Sequence, residues 1–83
     1  MKYKYVKQIK STTKVEAHHV RVDDINYQIL ISPIPRYYTQ VSAYIANERG
    51  KDIDLLKPLF KTRGDKLEDG VECLMNHLKG TEI

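Results

Sequence analysis

The chain has 83 residues, of which 41% are hydrophobic and 30% charged, with a formal net charge of +3 and a pI near 9.0. That is one domain, residues 1–83, with apolar material for a single core; it excludes wholesale disorder and a multidomain array. The mild positive charge leans towards an anionic partner, although small domains also carry such charge for solubility alone.

Cys73 is the only cysteine, so no internal disulfide can form. A small domain without one is expected in the reducing cytoplasm. The opening "MKYKYVKQIK" has charge but no apolar run of signal-peptide length. No stretch is long and apolar enough for a spanning helix, so no membrane partner is expected.

Residues 2–9 read as an edge strand. Tyr3, Tyr5 and Ile9 alternate with Lys2, Lys4 and Gln8, while Val6 and Lys7 interrupt the pattern. Lysines on such a strand oppose edge-to-edge pairing. Residues 11–14, "STTK", form a polar connection. "VEAHHVRV", residues 15–22, and "INYQILISPI", residues 25–34, flank Asp23-Asp24 and read as a hairpin, although the strongest turn signals place glycine second. The run Ile29-Leu30-Ile31 marks a central strand. Pro33 and Pro35 are expected to end it, since neither can donate to a ladder.

A further strand follows. Val41, Ala43 and Ile45 share one face and Gln40, Ser42 and Tyr44 the other, which predicts a core side and a solvent side. "NERGK", residues 47–51, is a turn in which Gly50 can take positive φ. Residues 52–64 fit either a short helix broken at Pro58 or a last strand ending in a loop. In the C-terminal segment Asp65 is the expected cap, with Glu68 completing a box-like pair. Leu67, Val71, Leu74, Met75 and Leu78 recur at helical spacing, and Gly80 is the expected stop. Gly70 weakens the first turns, as it would where the helix passes close to the sheet.

These elements predict an α+β domain: an antiparallel sheet of three to four strands with the C-terminal amphipathic helix packed on one face.

Catalytic and metal chemistry find little support. Cys73 and His77 are four apart on the expected helix, but paired-cysteine spacing is absent, and the adjacent His18 and His19 point to opposite faces of a strand. Asp23-Asp24 and Asp52-x-Asp54 sit at turn signals. No G-x-S-x-G, P-loop or dinucleotide-binding glycine pattern occurs. Neither an enzyme nor a metal or other cofactor is expected.

Basic residues interleaved with aromatics are better represented. Lys2 and Lys4 alternate with tyrosines, and "SPIPRYYTQ", residues 32–40, joins Arg36, Tyr37 and Tyr38 to a rigid proline pair. Lysines track phosphates and tyrosine faces stack on bases, although the pleat separates Lys2 and Lys4 from Tyr3 and Tyr5. Of the adjacent tyrosines, Tyr37 is expected to point outwards and Tyr38 inwards. The expected binding residues are Lys2, Lys4, Arg36, Tyr37, Tyr38, Tyr44 and Arg49. The partner is a nucleic acid in the first reading. The alternative is a partner protein engaged by an adaptor or inhibitor, or a second copy met through a sheet edge to give a homodimer.

Overall fold

The computed structural model describes residues 2–80. Five strands, β1 (Tyr3–Ser11), β2 (Glu16–Val22), β3 (Ile25–Ile34), β4 (Tyr38–Ile45) and β5 (Phe60–Arg63), precede one helix, α1 (Leu67–Lys79). The strands form one antiparallel sheet in the order β1-β2-β3-β4-β5. The α+β architecture is as expected, but the sheet has five strands rather than three to four. The additional strand is β5, the last-strand option for residues 52–64.

Each hairpin has a local cause. Thr12 closes the β1–β2 connection, its hydroxyl accepting the backbone N–H groups of Lys14 and Val15, each at 3.1 Å. Asp23 and Asp24 both take left-handed φ, 49° and 67°, the pattern of a two-residue turn that matches strand twist; aspartate tolerates it without glycine. Between β3 and β4, the Tyr37 N–H donates to the Ile34 carbonyl at 3.1 Å around Pro35 and Arg36. Arg36 has φ 70°. Proline second and positive φ third mark a type II turn.

Pro33 does not end β3, contrary to expectation; it pairs with Thr39. The β2 ladder stops at the Glu16–Ile31 pair. Ile34 bonds towards β4, so alternation turns Pro33 towards the side β2 has vacated, where no donor is required.

The core lies between one face of the sheet and α1. Val20, Val22, Tyr27, Ile29, Ile31, Val41, Ala43 and Leu74 are buried together, with Leu67, Val71, Met75 and Leu78 packed around them. Gly70 allows the helix to sit this close, because a Cβ there would lie 2.7 Å from Val41 Cγ1 and 2.8 Å from Ile29 Cγ2. The helix begins differently from expectation. Lys66, not Asp65, occupies the cap position, and Asp69 rather than Glu68 reaches back, accepting the Asp65 N–H at 2.8 Å and the Lys66 N–H at 3.3 Å. Those two backbone donors hold the Asp69 carboxyl below its ordinary pKa of 3.8. The helix stops at Gly80 as expected, its N–H directed to the Asn76 and His77 carbonyls.

Candidate functional site

The second face of the sheet is not simply a solvent side. Residues 46–59, which join β4 to β5, fold back across it as a strap. Gly50 lands on His19, and Gln28 Nε2 donates to the Gly50 carbonyl at 2.7 Å. Asn47 shapes the turn: its side-chain oxygen accepts the N–H groups of Arg49 and Lys51 at 2.9 and 3.0 Å. Asp54 likewise caps a local turn at Leu56. Asp54 therefore serves the backbone, while Asp52 Oδ2 accepts from the Asn47 side-chain amide at 2.7 Å.

The strap corrects one expected binding residue. Tyr44 is only 4% exposed, with its hydroxyl accepting from Ser42 at 3.3 Å. It is a packing residue beneath residues 46–59 and is not available to a ligand.

His18 and His19 do face opposite ways. On the helix side, Tyr5 Oη lies 3.0 Å from His18 Nδ1, and His18 Nε2 lies 3.1 Å from Glu16 Oε1. On the strap side, His19 Nε2 lies 2.8 Å from Asn26 Oδ1, which also accepts from Arg21 Nε at 3.0 Å. His19 Nδ1 is buried with no hydrogen-bond partner among the described residues. Among those residues no group of three or more histidines, cysteines or acids lies close enough together to hold a metal ion. No helix among them is long and apolar enough to cross a membrane.

The exposed cations are organised by β1. Its register with β2 pairs Tyr3 with Val22, Lys4 with Arg21, Tyr5 with Val20, Lys7 with His19, Gln8 with His18 and Lys10 with Ala17. Two bulges interrupt this ladder, between Tyr5 and Lys7 and between Gln8 and Lys10. Each inserts one residue, Val6 and Ile9, and these are the only residues of β1 that are even partly buried. An inserted residue resets which side chain faces which way. As a result Lys4, Lys7 and Lys10, three apart in sequence, stand opposite alternate residues of β2. All three project from the strap face of the sheet.

Alternate strand positions are about 7 Å apart, so the lysines form a row about 13 Å long. Lys2 continues it at the β2–β3 end, its N–H donating to Asp23 Oδ1 at 2.8 Å. Lys2, Tyr3, Lys4 and Arg21 line a depression of about 530 Å³ with Asp23 and Asp24. None of these lysines makes an ion pair with an acid among the described residues, where the only carboxylate contact of that kind is Glu16 with His18.

Arg36 and Tyr37 sit in the β3–β4 turn at the far end of the sheet from Lys2. Tyr37 is 80% exposed. Tyr38 is 38% exposed and points to the strap face instead of the core, with the Arg63 guanidinium 4.7 Å from its ring centroid. Arg49 is exposed on the strap turn. The expected residues thus fall into two groups, Lys2 with Lys4 along β1 and Arg36 to Tyr38 at the opposite corner, with Arg49 apart from both.

Sequence reasoning missed Lys7, Lys10 and Arg63. A period-three lysine spacing was the available signal for the first two. Charge is also segregated along the chain: residues 2–63 hold twelve lysines and arginines against six acids, and residues 65–82 hold two against five. The sheet is basic and the helix segment acidic.

No family model, curated protein or solved structure matches this chain.

Proposed function

We propose that the protein is a small non-enzymatic nucleic-acid-binding module that engages phosphates through the lysine row of β1. The observation that carries this is the pair of bulges: they bring Lys4, Lys7 and Lys10 to one face with none of them in an ion pair among the described residues. A row of unpaired cations at an even step of about 7 Å suits a phosphate backbone better than a single anionic group. The depression at Lys2, Lys4 and Arg21 extends the row at one end. A reducing intracellular setting fits both such a partner and the single cysteine.

A fluorescence-anisotropy titration with a labelled oligonucleotide at several salt concentrations tests this. Affinity should fall steeply with salt, and Lys7→Gln should reduce the slope by about one phosphate contact. Binding absent at low salt, or indifferent to salt, would count against it.

One observation favours the alternative of a protein partner: Leu56 is 91% exposed on the strap beside the exposed Leu55. Leu56→Ser should leave oligonucleotide affinity unchanged if the lysine row is the site. Pairing of two copies through β1 is disfavoured by its bulges and lysines, both of which blunt an edge.

A further inference from the structure

Both faces of β1 carry side chains suited to one ligand, and among the described residues its outer edge has no strand beside it. Opposite the lysines, Tyr3 and Tyr5 pair with Val22 and Val20 and so project from the helix side. They remain 37% and 41% exposed, and α1 packs mainly over β3, β4 and β5. Tyr5 is held in place from below. Its hydroxyl lies within hydrogen-bond distance of His18 Nδ1, the His18 Nε2 lies as close to Glu16 Oε1, and the two rings lie 5.8 Å apart at 52°. A tyrosine fixed in this way loses little freedom on binding.

Resting on the nucleic-acid reading above, we infer that the ligand is a single strand laid along the open edge of β1. Its phosphates lie on the Lys4, Lys7 and Lys10 face and its bases on the Tyr3 and Tyr5 face. The strand period of two splits the two chemistries to opposite sides of one edge, and an unpaired nucleotide has the same split, with phosphate on one side and an open base on the other. A duplex does not: its base faces are already stacked inside the helix, so it could use the lysines but not the tyrosines. The lysine row spans two or three nucleotides, matching two tyrosines. The outward N–H and C=O groups of β1 lie between the two rows and offer hydrogen bonds to sugar and base edges.

The test compares a labelled single strand of about twelve nucleotides, within the site sizes of single-strand-binding modules, with the duplex of the same sequence at matched salt. Wild type should bind the single strand at least tenfold more tightly. Tyr3→Leu and Tyr5→Leu should each lose roughly tenfold in single-strand affinity while leaving duplex affinity unchanged. Lys7→Gln should weaken both ligands. The chain has six tyrosines and no tryptophan, so an unlabelled strand should quench the intrinsic tyrosine emission, and less so in Tyr3→Leu. This readout holds even where Tyr5→Leu disturbs folding.

Equal or tighter duplex binding, or single-strand affinity indifferent to both tyrosines, overturns the edge-bound strand while leaving a lysine-mediated nucleic-acid site standing. Binding of neither ligand overturns both.

Discussion

A methyl group on Gly50 would fall 2.4 Å from Cγ of the His19 ring, so the strap closes on β2 with no room to spare. Gly50 also has φ 74°, a conformation that costs any side chain about 1–2 kcal/mol. Overpacking adds a comparable amount. Gly50→Ala should therefore destabilise the protein by about 2–4 kcal/mol in chemical denaturation. His19→Ala removes the ring but keeps Cβ, which would still lie 2.6 Å from the added methyl, so the steric part should shrink in that background without vanishing. A double-mutant cycle with no coupling between the two positions would mean that the strap does not seat on His19.

The helix start yields a prediction with a definite pH direction. Asp69 has its carboxyl pKa lowered in the folded state by the Asp65 and Lys66 N–H groups. A lowered folded pKa contributes stability that is present above the unfolded value near 3.8 and is lost as pH falls through the folded one. Asp69→Ala should lower Tm at neutral pH and flatten the acid limb of the Tm profile. Asp65→Ala and Glu68→Ala should do neither, since their side chains do not serve the cap.

At the alkaline end the sign reverses. Burial raises the Tyr27 hydroxyl above its ordinary pKa of 10.0, with Asp23 adding to the shift. Its stabilising effect is complete below pH 10 and is lost as pH rises through the higher folded value. Tyr3 is shifted the same way, first by burial and then by Tyr5 and Glu68. Wild-type Tm should stay level up to about pH 10 and fall above it, and Tyr27→Phe should fall less over that range. Lysine titration is common to both proteins and cancels in the comparison. Identical alkaline limbs would remove Tyr27 as the cause.

Leu74 is fully buried in the core while Glu72 is exposed on the helix. Leu74→Asp puts an unpaired charge in that core and should unfold the protein, a loss beyond about 4 kcal/mol. Glu72→Ala should stay within about 0.5 kcal/mol. Comparable thermal melts for the two would be incompatible with a helix docked on the sheet.

What could be read in the sequence was local. The helix stripe from Leu67 to Leu78, the Asp23-Asp24 turn, the central place of Ile29 to Ile31 and the tight approach at Gly70 each follow from the spacing of a few neighbours. What could not be read was set by partners distant in sequence. Alternation correctly put Tyr44 opposite the core side, but only the path of residues 46–59 buries it. Pro33 stays in β3 because β2 ends first. Lys7 looked like a break in alternation because a bulge is invisible to a period-two test, and with it the lysine row was hidden. Asp65, Glu68 and Asp69 are equivalent by composition, and only the entry angle of the chain selects Asp69.

The corner at Arg36 separates a structural role from a binding one. Arginine at φ 70° costs about 1 kcal/mol that glycine avoids, partly offset by the extra freedom glycine brings to the unfolded chain. Arg36→Gly should therefore be neutral or stabilise by up to about 0.5 kcal/mol, whereas Arg36→Val, branched where φ is positive, should destabilise by about 1–2 kcal/mol. Tyr37→Ala should leave Tm unchanged, because the ring is almost wholly exposed. Tyr38→Ala should cost about 0.5–1 kcal/mol through loss of its contact with Arg63. Oligonucleotide titrations of the same variants then decide what the corner is for. Retention of a strained arginine for binding predicts that Arg36→Gly keeps or raises Tm yet weakens the complex by about 1 kcal/mol or more. Unchanged affinity in Arg36→Gly and Tyr37→Ala together would leave "SPIPRYYTQ" as a turn between β3 and β4 and confine the binding surface to β1.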